Sequence, residues 1–525
     1  MKHMAGPQVI DLSALMGYQT AKGRSARETN IAAARQVAET IRTTLGPKGM
    51  DKMLVKSSGD VIVSSDGATI LKEMDIEHPS AKIIVEVAKT MDEEIGDGTT
   101  TAVVLTGELL KKAEELIEQG VHPSLIVRGY RMAAVKACER LKALGQPLTH
   151  DDKDTLMKVA LTSMSGKSTA ALQKRLAEIA VEAIQQTMED KDNPGETKTL
   201  AVVGESVTSS FLVRGIVLDK EKANPGMPRQ LRSAKVALVA GAIEAKKLDD
   251  AEIEIRSPAQ LQGMLAAEEK SVRDKVEKIL SAGANAVFCQ KGIGELAASI
   301  LAKKGVIALA NVPEGDMKRL AEATGAQVVS GVSELSKTEL GSAGLVEERH
   351  LGERRHIFVQ DCAHPRCVTA VIRGGTRHVV DEAENVFNDA IGALGAALTS
   401  GKVLGGAGAP EMEAALALRE LARSLSGREQ LAVNAFADAL ESIPLVLAEN
   451  AGLSPVDVLT ELRAAHSKGQ HWAGVNSSEV GALDSWKAGI LEPLSLKTQA
   501  VTSAAETAGM ILRIDDIVAK SRPGG

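Results

Sequence analysis

Thr43-Thr44-Leu45-Gly46-Pro47-Lys48-Gly49 and Gly96-Asp97-Gly98-Thr99-Thr100-Thr101 are the two stretches that decide how this chain is read. In the first, two glycines bracket a short turn, so an anion can reach bare backbone N–H groups without meeting a Cβ. The second sets one carboxylate between two glycines, then offers three hydroxyls where an apolar helical run begins. The first N–H groups of a helix lack partners within it, and the helix dipole favours negative charge there, so this start suits a phosphate. Asp97 would repel that phosphate unless a divalent cation lay between them, so it reads as a magnesium ligand. Its plainer reading is a helix N-cap. Neither stretch is a Walker A motif. Ser165-Gly166-Lys167-Ser168 resembles the end of one, but Leu161 stands where that motif requires glycine. Lys167 therefore stays as a point charge that could approach a phosphate.

Outward from these stretches, apolar spacing predicts helices over 78–95, 99–119 and about 123–144, with Gly120 as a stop and His122-Pro123 as a start. Between the glycine motifs, Val61-Ile62-Val63 predicts an extended segment and Asp66-Gly67 a hairpin-type turn. Residues 151–188 read as helical again. Beyond the break at Asn224-Pro225-Gly226-Met227-Pro228 the grammar changes. Strand-like runs at 235–240, 286–289, 306–310 and 327–329 alternate with helical stretches near 258–280, 293–303 and 316–324. That alternation argues for an α/β layer with a partly parallel sheet. Helix returns after Arg373-Gly374-Gly375-Thr376 and runs through Asp389. Lys402 to Pro410 reads as a glycine-rich loop, and a strand-like patch falls around 472–480. The order is helical, α/β, helical, so the simplest architecture inserts an α/β domain into a domain built from both chain ends.

The bulk numbers exclude several classes. At 525 residues the chain exceeds one ordinary core, so two to three domains are expected. Aromatics make up only 2%, too few for base-stacking platforms, and a net charge of −7 without a basic block leaves no footprint for nucleic acid or an anionic membrane. No signal-like apolar run opens the chain and none downstream approaches a membrane span, so a cytoplasmic protein is expected. Cys138, Cys289, Cys362 and Cys367 read as free thiols rather than a disulfide framework. Cys362 and Cys367 bracket Ala-His-Pro-Arg, but no second Cys/His pair at zinc spacing lies nearby.

Hydrolysis of a phosphoanhydride needs a metal ligand and groups that orient and deprotonate water. Asp66, Asp97 and Asp389 suffice if the fold gathers them, which spacing cannot show. Asp66 is otherwise a turn-former and Asp389 a solvent-facing helical residue. Gly406, Ala407 and Gly408 could let a nucleoside approach the backbone. Residues 243–275, dense in charge and then amphipathic with Leu261, Met264 and Leu265, read either as a solvated helix or as an arm offering an apolar stripe to a partner.

The motifs together resemble a group II chaperonin of the archaeal thermosome type over nearly the whole chain. The resemblance is carried by Arg42 to Leu54, Gly96 to Leu105, Val287-Phe288-Cys289-Gln290-Lys291-Gly292-Ile293, Ile372 to Thr376, Ala435 to Glu441, Glu492-Pro493-Leu494 and Lys497-Thr498-Gln499-Ala500. It implies a multidomain α+β and α/β chaperonin fold. A mostly helical equatorial ATPase domain would comprise 1–147 and 401–525, a small intermediate hinge domain 148–216 and 368–400. An inserted α/β apical domain would cover 217–367, with a lid-forming helical protrusion at about 243–275. The implied activity is ATP-driven, Mg2+-dependent folding of non-native proteins inside two stacked rings of about eight subunits, copies or paralogues, with no separate co-chaperonin lid.

Carried over by position, Thr44, Leu45, Gly46 and Pro47 would line the phosphates and Asp97 would hold magnesium. Gly98, Thr99, Thr100 and Thr101 would bind phosphate oxygens, while Asp66 and Asp389 would position and activate water. Gly406, Ala407 and Gly408 would face the nucleoside, with Asn476 in the same set, and Glu492 would take the ribose hydroxyls. Lys167 falls in the segment that looks like a nucleotide-sensing loop. Two departures stand out: Ser65 replaces the usual Asn before Asp66-Gly67, and Ala407 interrupts a triple glycine. The end, Arg522-Pro523-Gly524-Gly525, also lacks the Gly/Met-rich repeat common in relatives. A small-molecule kinase or metabolic ATPase, and a holding chaperone without turnover, are the competing readings. The first would need a second polar pocket, and the second does not require the three carboxylates.

Overall fold

The structure is a computed structural model that describes residues 18–56, 59, 61–167, 170–188, 196–245, 258–362, 367–479 and 481–520. The charged part of the expected protrusion at 246–257, the tail at 522–525 and the bracketed segment 363–366 lie outside the described residues. The chain divides into two compact units, Met1–Thr169 with Asp389–Gly525, and Ala170–Asn388.

The first unit is helical. Its centre is the helix Thr99–Glu118, which packs against the helices Gly23–Arg42, Glu429–Asn450 and Leu494–Leu512. Val103, Val104, Leu105, Leu109 and Leu110 are buried along it, each contributing about 1.5–3 kcal/mol of apolar burial. A Cβ on Gly107 would fall 2.4 Å from that of Ala38, so only glycine lets these two helices approach so closely. The neighbouring helices are Pro79–Glu94 and Pro123–Leu144, each opened by a histidine cap and a proline, at His78 and His122. The helix Glu429–Asn450 is long and apolar enough to cross a membrane, contrary to the sequence expectation, but most of it is buried in this core. Its alanine-rich run keeps Asp438 and Glu441, which pair with Arg419, and this charge hid its overall hydropathy.

Among the described residues four small sheets edge this unit, one of them the pair Ala473–Val475 with Ala482–Asp484. Tyr18–Lys22 pairs antiparallel with Asp516–Lys520. Lys52–Val55 pairs with Val61–Ser64, which agrees with the expected extended segment. Asp66-Gly67, however, is not a hairpin turn: Asp66 caps the helix Gly67–Glu73, its Oδ2 accepting from Thr69 N at 2.7 Å. Nor is Lys402–Pro410 all loop. Lys402–Gly405 is a strand between Leu491–Pro493 and Gln146–Pro147.

The second unit holds a mixed sheet of seven strands. Ile307–Leu309, Ala286–Cys289 and Gln230–Val239 run parallel, as does Val328–Val329 on the last of these. Gly341–Leu351, Arg354–Cys362 and Gly215–Leu218 extend it antiparallel. The helices Pro258–Ala282, Glu295–Lys303 and Glu314–Thr324 flank it, close to the bounds expected. Along Pro258–Ala282 the later residues Val272, Val276 and Ile279 are buried, while Leu265 is exposed. A second sheet joins Thr197–Val203, Val368–Gly374 and Phe211–Val213. All four cysteines carry free thiols.

Candidate functional site

In the first unit the two glycine stretches come together around one helix start. The helix Thr99–Glu118 begins after Gly98, whose φ of 78° is open to glycine at no steric cost. The first backbone bond of the helix runs from Ala102 N to Gly98 O, so the N–H groups of Thr99, Thr100 and Thr101 precede its ladder. No side chain caps this end, and Asp97 Oδ1 accepts instead from Gly98 N at 2.7 Å. The N-cap reading of Asp97 is thereby replaced: its carboxylate stands beside the helix start rather than closing it.

Close contacts at glycines show what surrounds this start. A Cβ on Gly67 would lie 2.5 Å from Thr100 Oγ1, so the Asp66-Gly67 corner abuts the threonines. A Cβ on Gly166 would lie 2.9 Å from Pro47 Cα and 3.0 Å from Gly46 O, so the Met164–Lys167 turn rests on the first glycine stretch. A Cβ on Gly392 would meet Ile95 O at 2.5 Å and Gly96 Cα at 2.8 Å. Asp389 sits one turn before Gly392 on the helix Arg377–Ser400, which delivers it to the same place.

Asp389 is 8% exposed and accepts from Lys167 Nζ at 2.5 Å, so it is not the solvent-facing residue that spacing favoured. Burial opposes the Lys167 ammonium, but the charges of Asp389, Asp97 and Asp66 outweigh it and raise its pKa. Burial pushes the Asp389 carboxyl up to about 7 against the pull of Lys167, with Asp66 and Asp97 adding to the rise. The charges of Asp66 and Asp97 thus act on both members of the Lys167–Asp389 pair. Beside Asp66, Ser65 Oγ is buried with no hydrogen-bond partner. Thr44 Oγ1, by contrast, donates to Ile41 O, and the carbonyl of Leu45 is held by Asn450 Nδ2 at 2.8 Å. Asn450 and Arg42 O also bond, which pins the turn to the helix Glu429–Asn450. Nothing in the sequence marked Asn450.

A second set of residues forms around Lys402–Gly405. Glu492 lies opposite Leu404 in the strand pair, and a Cβ on Gly406 would fall 3.2 Å from Glu492 Oε1. Ala407 holds φ at 58°, a strained value for a residue with a Cβ, and Gly408 follows at 81°. Ala407 O accepts from Val475 N at 2.8 Å, which brings the strand Ala473–Val475 and the adjoining Asn476 alongside. Asn476 Oδ1 itself accepts only locally, from Ser478 N. Glu492 ion-pairs with Lys497, which donates to Glu411 Oε1 at 2.8 Å. The two sets meet where Gly98 packs on Leu496 and where the Asp97 charge acts on Glu492.

The donors fit a Mg2+–nucleotide. Among the described residues the N–H groups of Thr99–Thr101 and the buried Ser65 hydroxyl have no hydrogen-bond partner, and phosphate oxygens are acceptors that suit such donors. Among the described residues no three His, Cys, Asp or Glu side chains gather into a metal cage. Mg2+ suits such a place, because it binds through one or two carboxylates plus phosphate oxygens and water.

A model of the TCP-1/cpn60 chaperonin family matches residues 37–522. The chain belongs to the TCP-1/cpn60 chaperonin family. This chaperonin is 52% identical over 520 residues to the thermosome subunit of Methanopyrus kandleri, covering 98% of this chain and 95% of that one. It is 52% identical to the thermosome subunit beta of Archaeoglobus fulgidus, covering 97% and 95%, and 51% identical to the subunit alpha, covering 96% and 93%. A solved structure described as an open state monomer of a group II chaperonin from Methanococcoides burtonii is 40% identical, with a TM-score of 0.61. That likeness covers 80% of this chain and all of the other. The chaperonin is therefore of group II and thermosome-like, with the chaperonin fold.

Proposed function

We propose that this chaperonin binds Mg2+–ATP at the site described and uses its hydrolysis to fold non-native proteins. The observation that carries the reading is the convergence of Asp66, Asp97 and Asp389 with Lys167 at an uncapped helix start. Asp97 holds the metal, which when bound neutralises phosphate charge. The N–H groups of Thr99–Thr101, with their hydroxyls and the Thr44–Pro47 turn, take the phosphate oxygens. Asp389, kept protonatable near neutral pH by burial, accepts a proton from the attacking water that Asp66 orients. Lys167 holds Asp389 until a phosphate competes for the ammonium. Gly406 to Gly408 and Asn476 face the nucleoside, and Glu492 accepts from the ribose hydroxyls.

In this reading Met1–Pro147 and Gly401–Gly525 form the ATPase domain, residues 148–216 and 368–400 the hinge, and 217–367 the substrate domain. The exposed Leu265 belongs to a lid arm, so no separate lid protein is required. The relatives named subunits alpha and beta support assembly with copies or paralogues. In this reading the assembly is two stacked rings of about eight subunits, in the cytoplasm. Recovery of a denatured enzyme with ATP, with ADP, and with ATP and Asp389→Ala tests the reading. ATP with the intact protein should exceed both others; equal recovery in all three would refute an ATP-driven cycle.

A further inference from the structure

We infer that Lys497 and Glu411 are a buried positioning pair for Glu492, and so determine preference for ribose over deoxyribose; this rests on the nucleotide reading above. Glu492 is fixed at its backbone, because its strand pairs with Lys402–Gly405 and the next residue, Pro493, opens the helix Leu494–Leu512. Lys497, one turn into that helix, is 5% exposed and Glu411 is 4% exposed. The ammonium touches Glu492 Oε2 and donates to Glu411 Oε1. Glu492 Oε1 is left beside Gly406, facing the nucleoside loop.

A bridge that merely joined two helices would need only Lys497 and Glu411. Here one ammonium serves two carboxylates, and the second has a side chain 23% exposed where the others are closed in. Burial raises the Glu492 carboxyl, Lys497 opposes that, and the charges of Glu411 and Asp97 add to the rise. Only the ionised form accepts from two neighbouring hydroxyls at once, and such charge-assisted bonds are the strong ones. Lys497 therefore favours the ionised form of Glu492 and holds its Oε2, which aims Oε1 at the loop. Glu411 draws on the same ammonium and weakens that hold.

Calorimetric binding of Mg2+–ADP and its 2′-deoxy analogue across neutral pH tests this without relying on turnover. The intact protein should prefer ADP by about tenfold, the loss expected for one charged hydrogen bond. In Lys497→Met the preference should fall to within about twofold at pH 7 and return as pH rises and Glu492 ionises. In Glu411→Gln it should persist to lower pH than in the intact protein, since a competing negative charge is gone. Equal weakening of both nucleotides by Lys497→Met, without pH dependence, would overturn the inference. So would an unmoved pH profile in Glu411→Gln, which decides alone if Lys497→Met does not assemble. An intact protein that binds both nucleotides equally overturns the ribose role only; one that binds neither overturns the nucleotide reading itself.

Discussion

Lys167 Nζ lies 2.5 Å from Asp389 Oδ2, joining residues 222 positions apart. The contact binds a cation to the most deeply buried of the three site carboxylates. With its carboxyl pushed up to about 7, Asp389 holds a proton in mild acid and can accept none. The kcat/KM of ATP hydrolysis should therefore rise with pH through neutrality. Lys167→Met removes the charge that favours the carboxylate, so the rising limb should move to higher pH. Asp389→Asn should lower kcat by roughly a hundredfold or more and abolish the limb. A flat profile in the intact protein would remove Asp389 as the base.

Asp97 Oδ1 accepts from Gly98 N, and among the described residues no hydrogen bond reaches its Oδ2, which suits that oxygen to a cation. Asp97→Asn should reduce ADP affinity in magnesium to the value measured with a chelator, while assembly by light scattering is unchanged. Magnesium that still tightens binding in the variant would assign the metal elsewhere.

A Cβ on Gly474 would lie 2.8 Å from the Ala407 Cβ and equally close to Ala407 O. Gly474→Ala should therefore destabilise the first unit by about 1–3 kcal/mol, read as a lower thermal midpoint. Adding Ala407→Gly removes one of the two clashes and a strained φ, so part of the loss should return. Strict additivity of the two substitutions would show that the residues do not touch.

Glu413 is buried, which would raise its carboxyl, but His466, His471 and Arg140 overcome that and hold it at about 2. A depressed carboxyl stabilises the fold above the ordinary carboxylate range and loses that contribution as pH falls through about 4 to 2. Glu413→Gln should cost up to about 3 kcal/mol at neutral pH, and the gap in thermal midpoint should narrow on acidification. A gap that stays constant down to about pH 3 would place the stabilisation in packing rather than charge.

Much of this was legible in the residue order. Thr99–Glu118 and Pro123–Leu144 follow their predicted bounds because Gly98, Gly120 and His122-Pro123 act locally. Asp66-Gly67 misled because the same pair serves a tight turn and a helix cap. The bond from Thr69 N makes it a cap, and the corner then packs against Thr100, a contact that is tertiary. The long strands Gly341–Leu351 and Arg354–Cys362 gave little signal, since their charges are satisfied across strands and loops, as where Lys222 meets Glu348 at 3.1 Å. Asp389 looked like a surface residue because its neighbours in the fold, Lys167 and the Ile95-Gly96 corner packed on its helix, lie in other parts of the chain. Glu411 and Lys497, 86 positions apart, carried no mark of their pairing.

The antiparallel pairing of Tyr18–Lys22 with Asp516–Lys520 has a cost in translation. Ribosomal synthesis is vectorial, so the first of these strands must wait, unzipped, until the second leaves the exit tunnel. The inserted unit Ala170–Asn388 is meanwhile complete and free to condense early. A nascent copy of this build therefore keeps its first strand unpaired until Asp516–Lys520 has emerged.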